Sequence, residues 1–284
     1  MNLHDWIGKS EALQDVVTAA PFCALAATLD WPSAERVPPA TGAPVPYLWH
    51  WLYFLPFAAQ SDIGEDGHPR RGGFLPPVPL PRRMWAGSEF EFHAPLLMGD
   101  TLRRTSTIVN VKEKSGRSGN LIFVRVRHEI RRNAQAGVAL TEHHNIVYRD
   151  APKPDDIAPP AVSAPAMSAW TRPIKADDVL LFRYSALTFN SHRIHYDRKY
   201  VTEVEGYPGL VVHGPLIATL LMDLLRRNLP NVQVQRFEFK AVRSTFDINP
   251  FSVHGQPSPD GKTIQLWAQD HEGWLTMNAT ATLK

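Results

Sequence analysis

The chain repeats itself. Residues 90–94 read "FEFHA" and residues 237–241 read "FEFKA", an offset of 147 residues (237 minus 90). The same offset carries Asp100 onto Asp247. Each block alternates aromatic and polar residues with the two-residue period of a strand that buries one face. Strand-like stretches come after each block: "LIFVRVRHEI" in the first half, "TIQLWAQD" and "WLTMNATATL" in the second. Midway lies "RDAPKPDDIAPPAVSAPAMSAW", residues 149–170, rich in Pro and Ala and without periodicity, which reads as a linker. A repeat with a linker at its centre predicts a duplicated β-rich unit. The expected division is residues 1–150, a linker over 151–168, and residues 169–284. Two unrelated β-rich domains are the alternative.

One long helix is plain in the second half. "HGPLIATLLMDLLRRNLP", residues 213–230, is apolar round nearly its whole circumference, which predicts burial. Arg226 and Arg227 sit where the helix dipole favours cations, and Pro230 stops the helix. A helix with antiparallel strands after it predicts a curved sheet wrapped round it. The first half has "GGFLPPVPLPRRMWAGS" in the corresponding place. Its prolines predict either a short helix or a space left open.

Charge and cysteine content exclude several function classes. With 30 basic and 28 acidic residues the formal charge is +2, which calls for neither a nucleic acid nor a membrane partner. A single cysteine, Cys23, can form no intramolecular disulfide and no thiolate zinc cage, and points to a reducing, cytoplasmic location. "APFCALAA" reads as an apolar helix, so Cys23 is expected to be a core residue and not a nucleophile. There is no "GxSxG", no "GxGxxG" and no P-loop, which disfavours a serine hydrolase and a nucleotide cofactor.

The residues with chemistry to offer lie in "YSALTFNSHRIHYD", Tyr184 to Asp197. His192, His195 and Asp197 are close together, but the sequence supplies no second ligand cluster at metal-site spacing, so no metal is expected. General acid–base work is the better reading. His195 precedes His213 and Gly214, which stand at the start of the buried helix. The first N–H groups of a helix lack internal partners and can hold an anionic oxygen. An imidazole on one side of a carbonyl compound and a helix start on the other suit enolate chemistry. A structural histidine bonded to backbone is the competing reading.

"YSALTFNSHRIHYD" together with "EGYPGLVVHGPLIATLLMDLL" resembles the MaoC-like family of (R)-specific enoyl-thioester hydratases and dehydratases. Its motif runs approximately Y-x-x-[ST]-G-D-x-N-P-I-H-x-D, with an "HGxL" helix start after it. The resemblance implies an α+β fold, the hot dog, here doubled, with the N-terminal helix degenerate. It extends to "EFHAPLLMGDTL" in the first half. The branch it most resembles hydrates mesaconyl-C4-CoA (3-methylfumaryl-CoA) or itaconyl-CoA. It implies a hydro-lyase acting on a CoA thioester of a short, branched dicarboxylic enoyl group, with no cofactor. A homodimer is compatible with it. By position, His195 matches the catalytic histidine and Gly214 the oxyanion-hole glycine. The catalytic aspartate falls on Asn190, which can orient a water but cannot take its proton. The missing carboxylate is then supplied by Asp197, by the substrate, or not at all, with His195 making both proton transfers. A dehydratase acting on fatty 3-hydroxyacyl thioesters, a thioesterase and an inactive thioester-binding protein are the rivals.

The first half lacks the histidine motif and is expected to accommodate the acyl group. Trp49, Trp51, Tyr53, Phe54 and Trp85 are candidate walls, although most aromatics of this kind are plain core. Arg82 and Arg83 in "PLPRRMW" are candidates to hold a substrate carboxylate or a CoA phosphate. His213 is a further candidate for substrate binding.

Overall fold

The two copies of the repeat lie against each other. Strand β2 (Arg82–Phe92) pairs antiparallel with β7 (Val234–Ala241), and Phe90 stands opposite Phe237. These two residues are also equivalent in the repeat, so an approximate twofold axis passes between them. The computed structural model describes residues 2–116, 119–132, 137–151 and 160–284. Strands β1 (Ser10–Val16), β3 (Thr101–Gly116), β4 (Gly119–Arg132) and β5 (Leu140–Arg149) flank β2. Strands β6 (Trp170–Ile174), β8 (Phe251–Pro257), β9 (Thr263–Gln269) and β10 (Leu275–Leu283) flank β7. The sheet runs β1-β3-β4-β5-β2-β7-β10-β9-β8-β6, so its two halves are mirror images in strand order. This is the α+β double hot-dog plan. At the seam, a Cβ on Gly87 would come within 2.2 Å of the Phe239 carbonyl oxygen, so only glycine lets β2 and β7 approach this closely. Residues 152–159 of the expected linker lie outside the described residues. Its described end pairs with the β9–β10 turn, through Ala164 N–H to Gly273 O at 3.0 Å.

Each half places a helix after its first strand: α1 (Ala19–Thr28) and α2 (Asp178–Leu187). Cys23 lies on α1 and packs against the core. The second half adds the short α3 (Arg198–Glu203) and the long α4 (Gly214–Asn228), within the span expected from sequence. Every residue from Leu216 to Leu225 is buried, and the β6, β8, β9 and β10 strands curve around it. Its one acidic residue, Asp223, accepts from Arg172 at 2.7 Å, Arg227 at 2.7 Å and the Trp31 indole at 2.8 Å. Arg172 and Arg227 also bond the Leu29 carbonyl, so the end of α4 is tied to the end of α1. The helix-terminal arginines therefore neutralise a buried carboxylate as well as the dipole.

The missing helix of the first half lies elsewhere than the proline run. Val212 N–H bonds Thr245 O and Asp247 N–H bonds Leu210 O; the same ladder recurs as Val45 N–H to Leu96 O and Met98 N–H to Ala43 O. Ala43–Val45 is thus the counterpart of Leu210–Val212. After Val212 the chain enters α4; after Val45 it makes only two short 3-10 turns, Trp49–Leu52 and Gln60–Asp62. Phe74 to Leu80 instead packs on the first-half sheet, with Val78 and Leu80 buried against Ile108, Ile146 and Tyr148. Trp49, Tyr53 and Phe54 are core; Trp51 and Trp85 are half-buried and pack edge to face.

Candidate active site

The local fold of "YSALTFNSHRIHYD" is set by its capping. Helix α2 ends with Thr188 as C-cap and Phe189 in the left-handed region, φ 49°. Asn190 N–H bonds Ser185 O at 2.8 Å and Phe189 N–H bonds Ala186 O at 3.3 Å, the pair of bonds of a Schellman ending. Phe189 occupies the position where the family motif has glycine, the residue that adopts this conformation without cost. The Asn190 side chain then accepts from the His192 N–H at 3.1 Å, closing the next turn and leaving its amide NH2 to donate. His195 comes next, on a 3-10 turn, Arg193–His195.

Two bonds lock this turn to the lead-in of α4. His195 Nδ1–H donates to Val211 O at 2.7 Å, and Val211 N–H donates to Ile194 O at 2.9 Å. With Nδ1 protonated, Nε2 is the basic nitrogen. The clamped carbonyl belongs to Val211, three residues before Gly214, where the helix leaves unsatisfied N–H groups. Pro215 has no N–H to offer, so Gly214 and Leu216 carry the donors at this end. A Cβ built on Gly214 would meet no atom within 4 Å, so there is open space at its Cα. His213, expected as a substrate contact, is fully buried; its ring stacks on His195 at 3.7 Å and its Nε2 meets Ser185 Oγ at 2.8 Å. It acts as a support beneath His195. Burial pushes the His195 pKa down to about 4 and that of His213 well below the ordinary value, so both rings are neutral near neutral pH.

The first half contributes residues that no sequence motif singles out. The loop "GEDGH", Gly64 to His68, docks on the turn that carries His192 and His195 through Arg193 N–H to Asp66 O at 2.9 Å and Ser191 Oγ to Gly67 O at 2.5 Å. Gly67 has φ 87°, and a Cβ there would lie 1.8 Å from Ser191 O. The loop brings the His68 ring to 3.9 Å from His192, tilted by 40°, and His192 lies 5.4 Å edge to face from His195. Four imidazoles, His68, His192, His195 and His213, thus form a row. Asp66 Oδ2 meets His68 Nδ1 at 3.1 Å. Although burial alone would raise it, that bond holds the Asp66 carboxyl well below the usual range. Burial lowers His68 to about 4.

Asp66, His68 and His192 each bring a donor atom within 4.8 Å of the others. The expectation of no metal rests on the want of a second ligand cluster in the sequence, and the fold supplies one. Asp66 already holds His68 Nδ1, so this geometry is that of a carboxylate-oriented imidazole. Asp197 has both oxygens engaged: it caps α3 through Tyr200 N–H at 2.9 Å and pairs with Arg193 at 2.7 Å. It is a structural residue, which answers against its expected role as second acid or base.

The two arginines of "PLPRRMW" part company. Arg82 pairs with Glu205 at 3.1 Å and donates to Tyr207 Oη at 2.8 Å, so its fork is spent between elements. Arg83 stands opposite Tyr148 on the β2–β5 ladder and forms no ion pair among the described residues. It lies close enough to press down the pKa values of His68, His192 and His144.

The comparisons with known proteins identify the family. The family model for hydroxyacyl-thioester dehydratase type 2 matches residues 48–247. A mesaconyl-C(4)-CoA hydratase from Chloroflexus aurantiacus is 46% identical over 278 residues, 98% of this chain and 96% of that protein. This chain belongs to the hydroxyacyl-thioester dehydratase type 2 family. It is a hydro-lyase of the MaoC-like kind. A solved MaoC-like dehydratase has the same fold, with a TM-score of 0.70 at 15% identity, covering 100% of this chain and 99% of that one. A Mycobacterium tuberculosis protein described as a double hot dog matches with a TM-score of 0.57 at 14% identity, covering 100% of this chain and 98% of that one. Among the described residues of this family member, no helix is long and apolar enough to cross a membrane.

Proposed function

We propose that the protein adds water reversibly across the double bond of a short dicarboxylic enoyl-CoA thioester of the mesaconyl-C4-CoA or itaconyl-CoA type. The Asn190 amide positions the water. Its oxygen forms the new C–O bond at the β-carbon while His195 Nε2 takes the proton. The π pair moves through the α-carbon onto the thioester oxygen, where the Gly214 N–H stabilises the enolate. The enolate then takes the proton back from His195 at the α-carbon, so one imidazole serves both transfers and no cofactor enters. The observation that carries this reading is the clamp between His195 and Val211, which fixes a neutral base beside a helix start. Residues 1–150 form the half that receives the acyl group, and residues 169–284 the half that carries the chemistry. The cytoplasm is the compartment this reading assigns.

A 3-hydroxyacyl-thioester dehydratase of fatty acid metabolism is the second reading; the family's name favours a hydroxyacyl-thioester dehydratase and leaves the acyl chain open. Against it stands the inner face of β5, which carries Glu142, His144 and Tyr148. The test is a spectrophotometric panel of enoyl-CoA thioesters. Faster hydration of thioesters bearing a distal carboxylate supports the proposal. Preference for long unsubstituted chains, or release of free CoA without hydration, contradicts it.

A further inference from the structure

Arg71, Arg82 and Arg83 flank the proline run, and the first two are spent. Arg71 donates to the carbonyls of Val78, Leu80 and Pro81 and so pins the proline run. Arg82 faces the other side of β2 and is held by Glu205 and Tyr207. Arg83 alternates with Arg82 along the strand, so its side chain is on the inner face, in register with Tyr148. Tyr148 has no exposed surface, and its hydroxyl has no partner among the described residues that meets hydrogen-bond geometry. The Arg83 guanidinium is near enough to favour its ionised form, although burial dominates and raises the pKa. Further along the same face, the buried Nε2 of His144 is likewise unpaired. The one carboxylate on this face, Glu142, is already bonded by His50 at 3.1 Å and Ser88 at 3.1 Å. Buried donors without acceptors are rare because each forfeits its hydration. Here a half-buried guanidinium in no ion pair among the described residues and a buried hydroxyl meet close to His68 and His192, at the far end of the histidine row from Gly214.

We infer that Arg83 and the Tyr148 hydroxyl form the subsite for the free carboxylate of the acyl group. This rests on the dicarboxylic reading above and names the residues that enforce it. The guanidinium takes the carboxylate oxygens in a fork and the phenol donates to one of them. A thioester lacking that carboxylate leaves the guanidinium without a counter-charge and the buried phenol without an acceptor, which is the strong form of discrimination against a missing polar group. A CoA phosphate is the other anion of matching chemistry.

The test compares the parent protein with Arg83→Met and Tyr148→Phe on mesaconyl-C4-CoA and on crotonyl-CoA, which carries the same phosphates and no carboxylate. Arg83→Met is expected to lower kcat/KM for mesaconyl-C4-CoA by about 10²–10³-fold and to leave crotonyl-CoA within about threefold. Tyr148→Phe, which removes a single oxygen, is expected to cost the carboxylated substrate about tenfold. Calorimetric binding of succinyl-CoA and butyryl-CoA reads the same subsite without turnover. The parent should prefer succinyl-CoA, Arg83→Met should lose that preference, and retained butyryl-CoA binding shows that the variant is folded. An equal loss on both thioesters assigns Arg83 to a CoA phosphate and overturns the inference. So does an unchanged preference in both variants. A parent protein that hydrates neither thioester overturns the hydratase function instead, while the binding arm still decides the subsite.

Discussion

His195 combines two properties that an exposed histidine cannot. Its Nδ1 is committed to a backbone carbonyl, and burial holds its pKa at about 4. Nε2 is therefore unprotonated well below the range in which a solvated imidazole, with a pKa of about 6.5, would take a proton. The expected kcat/KM profile is flat from about pH 8 down to about pH 5 and falls only as His195 protonates. An inflection near pH 6.5 in the free enzyme would mean that the base is solvated or is a different group. The placement of His195 beside the start of α4 is legible in the sequence because it follows from local spacing and a helix signal. Asp66, His68 and Tyr148 are not, because their relevance arises only from residues that the fold brings to them from far along the chain. Asp197 misleads for the opposite reason: a carboxylate two residues past His195 invites a catalytic reading, while an Asp before a helix is first of all a cap.

At the scale of elements, the decisive contact is the docking of the Gly64–His68 loop on the turn that carries His192 and His195. Gly67 stands at φ 87° with the Ser191 carbonyl where a Cβ would go. Gly67→Ala is expected to cost about 3 kcal/mol, because the strained backbone and the clash cannot both be relieved without undocking the loop. The loss should appear as a lower denaturant midpoint together with reduced activity, since His68 and His192 would separate. A variant with the parent midpoint would show that the loop yields without strain. The strand pattern and the single buried helix are legible in the sequence, because alternation and helical periodicity are local signals. The proline run is a false marker for the lost helix. Its position just before β2 suggests equivalence with α4, whereas the hydrogen-bond ladder at Ala43–Val45 places the counterpart upstream.

The whole molecule carries an unusual load of buried neutral histidine. Burial lowers His68, His144 and His195 to about 4 and His128 to about 3. In the unfolded chain each titrates near 6.5. Between these values the unfolded state binds more protons than the folded one, so stability rises with pH. Full stability is expected above about pH 6.5 and progressive loss from there to about pH 4. Thermal unfolding across that window should show Tm falling as pH falls, with proton uptake on unfolding. A flat Tm from about pH 7 to about pH 4.5 would contradict the burial of these rings.

The role of His195 is tested most directly by the initial rate of water addition to mesaconyl-C4-CoA, read as loss of the enoyl-thioester absorbance, in the parent protein and in His195→Ala. Turnover by the parent and a fall of about 10²–10⁴-fold on removal of the imidazole are expected. Hydration by His195→Ala at the parent rate would mean that another group moves the proton.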